Sequence, residues 1–249
     1  MPPRIDYTSQ RLFIDQPMAA GADLLLDRNQ TNYLVNVLRM REGDGLLVFN
    51  GRDGEWRAFL ASASRKAASL QLTERLREQP AATDIWLCFA PIKSGRLDYM
   101  VQKAVEMGAS RLIPVMTGRT QVEIRNPDRL RANIIEAAEQ CGILAVPDLA
   151  DPTRLAGLPE ILKAPDRALV FCDEMAALSD PLEALRPLPR GGPVAVLIGP
   201  EGGFEAGERQ MILAWPGALA IALGPRILRA DTAVVAALAA VQLAAGDWH

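Results

Sequence analysis

Histidine is almost missing from this chain: among 249 residues only the last, His249, is one. A Ser-His-Asp or Cys-His nucleophile system therefore lacks an imidazole to build on, because a terminal His249 is expected to fray. Proton chemistry is expected to fall to carboxylates, Lys, Arg, Tyr or the substrate itself. Cysteine is nearly as scarce. Cys88 and Cys172 sit inside apolar, strand-like runs and Cys141 near a helix end, without CxxC or Cys/His spacing. All three are expected to be buried thiols, and no metal is expected.

Long apolar runs are missing too. The longest candidate, Ala233 to Ala245, falls short of the ~20 residues a membrane span needs. The opening Met1-Pro2-Pro3-Arg4-Ile5-Asp6 has no signal-peptide core, so a cytoplasmic location with no membrane partner is expected. Nor is there a basic excess. Residues 1–80 carry eleven Lys and Arg against ten Asp and Glu, the remainder sixteen against twenty, for a net charge of −3. A uniformly basic nucleic-acid binder is excluded, and any RNA contact must come from a local basic surface. Neither GxxxxGK[ST] nor GxGxxG occurs, so a ligand is not expected to be held mainly by its phosphates.

What is present divides in two. The first eighty residues predict short strands at Arg11–Ile14, Gly45–Phe49, Glu55–Leu60 and Leu70–Leu76, with a strong turn at Asn50-Gly51-Arg52-Asp53-Gly54 and a helix over Arg28–Met40. Tyr33, Leu34, Val37 and Leu38 are spaced for one face of that helix. Together these elements suggest a small barrel. Gln79-Pro80-Ala81-Ala82 reads as the linker, so residues 1–78 and 79–249 are expected to be separate domains.

From Asp84 onward strands and helices alternate. Strands are predicted at Ile85–Ala90, Leu112–Met116, Ala168–Cys172, Val194–Ile198 and Leu219–Leu223. Helices are predicted near Arg96–Met107, Pro127–Cys141, Asp180–Leu185, Glu205–Ala214 and Thr232–Ala245. Such alternation implies an α/β parallel sheet covered on both faces. The last helix, with Asp231 or Thr232 as its N-cap, is apolar on every side and must be buried all round, in a core or a subunit interface.

The last quarter is the most informative part. The run Val194–Ile198 breaks into Gly199-Pro200-Glu201-Gly202-Gly203-Phe204, and the run Ala218–Leu223 into Gly224-Pro225-Arg226-Ile227-Leu228-Arg229. Two glycine-marked loops at the carboxyl edge of a parallel sheet are where open α/β folds bind ligands.

Those two loops, read with Ala230-Asp231-Thr232-Ala233, resemble the SPOUT class of RNA methyltransferases, and within it the RsmE family. The resemblance extends through Arg11-Leu12-Phe13-Ile14, Val37-Leu38-Arg39, Lys93-Ser94-Gly95-Arg96-Leu97-Asp98, Gln102 to Gly108 and Glu136 to Cys141. Three positions depart from the family pattern: Asp231 stands where Glu is usual, Asn32 where His is common, and Ile143 where Arg is frequent. The resemblance implies a PUA-like RNA-binding β-barrel followed by a SPOUT-type parallel sheet with a C-terminal trefoil knot. It implies S-adenosylmethionine as methyl donor, a homodimer, and methylation of uridine N3 in the decoding region of 16S ribosomal RNA of the small subunit. The expected donor site comprises Leu197, Ile198, Gly199, Gly202, Leu223, Gly224, Ile227, Leu228 and Thr232.

Methyl transfer from a sulfonium needs an aligned nucleophile, and N3 must first lose its proton. Arg229 suits stabilisation of the uridine anion and Glu201 suits acceptance of the proton. Two blander roles stay open: Glu201 as a cap for the helix near Glu205 or a ligand of loop amides, and Arg229 as a contact to a partner subunit or an RNA phosphate. Arg11, Arg39, Lys93, Arg96 and Arg119 are the RNA-binding candidates, each with a solvated surface charge as its alternative. Two other functions stay open as well, methylation of another RNA position, such as a tRNA ribose, and a non-catalytic RNA-binding assembly factor.

Overall fold

The computed structural model describes residues 6, 8–64, 66–163, 167–176 and 180–248. The expectations placed on residues 1–5 and on His249 lie outside them. The chain divides into two compact units, one of Met1–Ala81 with Ala138–Val146, the other of Ala82–Ala137 with Pro147–His249.

In the first unit, strands β1 (Arg11–Phe13), β2 (Asp23–Leu25), β3 (Gly45–Phe49), β4 (Glu55–Ala63) and β5 (Ala68–Arg77) form one sheet in the order β1-β3-β4-β5-β2. The β1/β3 pair is parallel and the others antiparallel. Along β4 the alternation is regular: Trp56, Ala58 and Leu60 are buried while Arg57, Phe59 and Ala61 face out. This is the period-2 pattern of a sheet with one wet face. The inward residues meet Leu12, Ile14, Leu24, Leu34, Leu46, Val48, Leu70 and Leu72 in a single core. Side chains outside the sheet hold its two edge strands: Gln16 Nε2 donates to the Leu25 carbonyl of β2 at 2.7 Å and Gln30 Nε2 to the Phe13 carbonyl of β1 at 3.0 Å.

The helix expected over Arg28–Met40 takes another form. Helix α1 (Arg28–Thr31) starts well, with the Asp27 carboxylate accepting from Gln30 N at 2.8 Å and Asp27 N donating to Gln30 Oε1 at 3.0 Å. This reciprocal cap satisfies two amides at once. The backbone then widens over Asn32–Val37, with Leu38 N donating to the Tyr33 carbonyl at 2.9 Å, five residues back. The added residue per turn carries Val37 and Leu38 off the inward face, so Leu34 stays buried while Val37 is 60% exposed.

In the second unit the strands are β6 (Ile85–Phe89), β7 (Arg111–Met116), β8 (Asp148–Leu149), β9 (Thr153–Arg154), β10 (Ala168–Cys172), β11 (Val194–Ile198) and β12 (Ala218–Ile221). All pair in parallel in the order β12-β10-β11-β6-β7-β8, with β9 beside β7. The helices are α2 (Ser94–Glu106), α3 (Pro127–Cys141, of which the residues from Ala138 on belong to the first unit), α4 (Leu158–Ile161), α5 (Pro181–Leu185), α6 (Ala206–Leu213) and α7 (Ala230–Ala245). Every residue of β11 is buried, as expected of a parallel strand covered on both sides. Its Ala195 and Leu197 pack with Phe171, Leu158 and Ile212 on one face. On the other face α7 packs against β11, α2 and α5.

Helix α7 begins earlier than its sequence suggests. Arg229, in extended conformation, is the N-cap, and neither Asp231 nor Thr232 caps. One face is fully buried through Ala230, Val234, Ala237, Leu238, Val241 and Ala245. Burial all round is not reached within one chain: Val235, Ala236, Ala239 and Ala240 are half-buried and Leu243 is 54% exposed.

Candidate functional site

Three neighbouring strands, β12, β10 and β11, end at one cavity of about 480 Å³. Its walls are the backbone and side chains of the segments that leave those strands. After β11, Gly203 N donates to the Pro200 carbonyl at 2.9 Å, closing a turn with Gly203 at φ +68°. Gly199 permits a close approach, because a Cβ there would lie 2.5 Å from Phe204 Cε2. The Phe204 ring is itself seated edge-on to Phe171, with centroids 5.2 Å apart. After β12, Gly224 takes φ +100°, which turns the chain into Pro225–Arg229.

Of the donor-site residues expected from the sequence, Ile198, Gly199, Gly202, Leu223, Gly224, Ile227 and Leu228 line this cavity, and Glu201 and Arg229 line it too. Leu197 does not. Side chains alternate along a strand, so with Ile198 facing the cavity, Leu197 turns into the core on the opposite face. Thr232 is also outside. Because α7 starts at Ala230, the cavity-facing positions of its first turn are Ala230 and Ala233, and Thr232 points to solvent.

Sequence reasoning missed the third strand end. Cys172, Asp173 and Glu174, which follow β10, line the cavity. The signal was present, because an apolar strand running into two acids at a sheet edge is the same pattern as the two glycine loops. Asp173 is buried and accepts from Met175 N at 3.0 Å and from Arg209 Nε at 2.8 Å. Cys172 is half-buried rather than buried, as is Cys141, whereas Cys88 is fully buried. Burial pushes the Cys172 thiol up to about 12.

The electrostatics converge on Glu201. Arg96 Nη1 donates to Glu201 Oε1 in an ion pair, and Lys93 and Arg229 add positive charge around the same carboxylate. The hydrogen bond from Arg96 is the main cause that holds Glu201 below the usual carboxylate range, and the same bond raises Arg96. Glu201 does not cap α6. That role belongs to Glu205, whose N–H donates to Glu208 Oε2 at 2.9 Å.

The RNA candidates separate. Lys93 is the exposed N-cap of α2 and Arg96 lies in its first turn. Exposed Arg119 donates through Nη1 to the Gly202 carbonyl at 2.7 Å, which ties it to the cavity loop. Arg39, in the first unit, is exposed and holds φ +58°, a left-handed conformation costly for a side-chain-bearing residue. Arg11 is a correction. It is 3% exposed and paired with Glu55, so it presents no charge to a ligand.

The cavity suits a small molecule in size. The Glu174 carboxylate lines the cavity, where it complements a cationic sulfonium, while Asp173 and Glu201 are paired with Arg209 and Arg96. Among the described residues no group of three or more His, Cys, Asp or Glu is placed to hold a metal, and no helix is long and apolar enough to cross a membrane.

Known proteins resemble this chain along most of its length. Residues 78–242 match the RNA methyltransferase domain family and residues 26–73 the RNA methyltransferase PUA domain family. Ribosomal RNA small subunit methyltransferase E of Rickettsia conorii is 28% identical over 94% of this chain and 95% of its own length. The Synechocystis enzyme of the same name is 30% identical over 93% of this chain and 76% of its own. The crystal structure of the Neisseria gonorrhoeae ribosomal RNA small subunit methyltransferase E, bound to S-adenosyl methionine, superposes with a TM-score of 0.84 at 26% identity, covering 97% of this chain and all of that one. This chain belongs to the RsmE family of RNA methyltransferases.

Proposed function

We propose that this protein methylates N3 of a uridine in the 16S ribosomal RNA of the small subunit, with S-adenosylmethionine as donor. The observation that carries the reading is the single cavity shared by both glycine loops, Glu201 and Arg229, at the carboxyl edge of the sheet. Ile198, Gly199, Gly202, Leu223, Gly224, Ile227 and Leu228 hold the donor there. When bound, S-adenosylmethionine supplies an electrophilic methyl group on a sulfonium. The protein's task is to hold N3 in line with it and to favour the deprotonated base, which cations at the cavity mouth do by stabilising negative charge.

Residues 1–78 serve as the PUA-like RNA-binding module and residues 79–249 as the SPOUT catalytic module, with the segments 199–203, 223–224 and 227–233 forming the trefoil knot around the donor. Arg39, Lys93, Arg96 and Arg119 contact the RNA. The protein works as a homodimer, and the half-covered apolar face of α7 is the surface that favours this assembly.

The decisive experiment transfers labelled methyl from S-adenosylmethionine to small subunits lacking the modification and identifies the product nucleoside. N3-methyluridine in 16S RNA is the expected product. A different nucleoside, or transfer only to another RNA, overturns the reading. Donor binding without any transfer means that the RNA target is wrong, and the absence of both transfer and donor binding moves the protein to the non-catalytic class.

A further inference from the structure

Glu201 was the natural proton acceptor for the reaction, but its surroundings suit a different task. A general base works best when its proton affinity is near that of the medium. Arg96, Lys93 and Arg229 all shift Glu201 the other way, and one of its oxygens is already engaged by Arg96. Arg96 stands on firmer ground than Arg229. It lies in the first turn of α2, a thirteen-residue helix anchored by the buried Leu97, Met100 and Val101. Its side chain is 27% exposed, against 70% for Arg229, whose nearest carboxylate oxygen, on Asp231, is 3.8 Å from Nε. The N-terminus of α2 has no side-chain cap and no acid in its first turn, so its dipole adds to the charge of Lys93 and Arg96.

We propose that Arg96 is the catalytic cation that stabilises the uridine N3 anion, and that Glu201 is the positioning residue that aims it. The proposal rests on the uridine-N3 reading above. The N3 proton passes to solvent, N3 forms the new bond to the methyl carbon, and the sulfur–methyl bond breaks with its electron pair left on sulfur. A helix-mounted guanidinium pays no reorganisation as the negative charge appears, which is why such preorganised donors stabilise it so effectively. The charged groups that face Arg96 and Glu201 are Lys93, Arg229 and Asp231.

The test measures methyl transfer to unmodified small subunits against pH for the full-length protein and for Arg96→Gln, Arg96→Lys, Glu201→Gln and the Arg96→Gln/Glu201→Gln double variant. Donor affinity is titrated in each as a check on folding. Arg96→Gln is expected to lower kcat about 100-fold at neutral pH, the effect of losing one such donor. The deficit should narrow as the medium itself begins to ionise N3, and Arg96→Lys should recover part of the rate. Donor affinity should stay within about twofold. Because Glu201 acts through Arg96, the double variant should be no slower than Arg96→Gln alone. Multiplying losses would make Glu201 an independent base and overturn the proposal. So would an Arg96→Gln deficit that is constant with pH or confined to KM for RNA, which would leave Arg96 a plain RNA contact. Failure of the unmodified protein to yield N3-methyluridine would instead overturn the functional reading itself, and the proposal with it.

Discussion

Arg11 and Glu55 form an ion pair inside the first unit, Arg11 Nε donating to Glu55 Oε1 at 2.8 Å with both side chains at most 3% exposed. Glu55 Oε2 also accepts from Arg77 Nε at 2.8 Å, and Arg77 Nη2 donates to the Gly142 carbonyl at 2.7 Å. Removing the shared carboxylate leaves a buried guanidinium without its counter-charge, a loss of about 3–5 kcal/mol in comparable buried pairs. Glu55→Ala should therefore lower the stability of the full chain by that order in urea unfolding. A change below about 1 kcal/mol, typical of a surface pair, would show that the pair is wetter than its exposure implies.

The same burial separates Arg11 from the other basic candidates. Each Lys or Arg that neutralises a phosphate releases a counterion, so its loss should reduce the salt slope of RNA binding by about one. Arg39→Gln, Lys93→Gln and Arg119→Gln should each do so in titrations across a salt series. Arg11→Gln should weaken the fold while leaving the slope of the folded protein unchanged. A reduced slope for Arg11→Gln would return it to the RNA surface.

Gly199 stands where a side chain does not fit, with Phe204 2.5 Å from the position of a Cβ. Gly199→Ala must move the Phe204 ring off its edge contact with Phe171 or shift the cavity loop. Overpacking of this kind commonly costs about 1–3 kcal/mol. Donor affinity measured by calorimetry is expected to fall by about tenfold or more, since every 1.4 kcal/mol is a decade. Unchanged affinity would mean that the donor does not depend on the Ile198–Gly203 segment.

Much of the second unit was legible because its signals are local. Ala168–Cys172 and Val194–Ile198 are apolar runs bounded by breakers, and both strands keep those limits. What escaped was set by tertiary geometry. β8 and β9 are two residues each, too short for any period to show. Val37 and Leu38 have helical spacing, yet a widened turn rotates them outward, which no spacing rule foresees. Within the site, both glycine loops announced themselves. Leu197 and Thr232 do not line the cavity, because which face of β11 meets it, and where α7 begins, depend on neighbours distant in sequence. The Arg96–Glu201 pair joins residues 105 positions apart and has no sequence signature.

Cys172 offers a check on the cavity wall. Burial pushes its thiol from 9.0 up to about 12, and only the thiolate is nucleophilic. At pH 8 the thiolate should be far scarcer in the folded protein than in the unfolded chain, so iodoacetamide should label Cys172 much more slowly than in the urea-unfolded chain. Because the folded state favours the neutral thiol, its contribution to stability is complete below pH 9 and is lost as pH rises towards 12. Labelling near the unfolded rate, read by mass spectrometry on the Cys172 peptide, would show a wetter cavity.

The outer face of α7 gives a test of assembly that leaves the cavity intact. Leu243 is 54% exposed and Val235, Ala236 and Ala239 are half-buried on the same side, while the inward face is already filled. An apolar helix face left half-wet is stabilised by a second copy of itself, and the small alanines let two such helices approach closely. Leu243→Glu places a charge on that face without touching the buried residues, so thermal stability at high dilution should change little. Dimer dissociation, followed by analytical ultracentrifugation, should become easier by about 30-fold or more, the ~2 kcal/mol expected of a central interface residue. An unmodified protein that stays monomeric at high concentration would remove the homodimer from the functional reading. A dimer indifferent to Leu243→Glu would move the interface to another face.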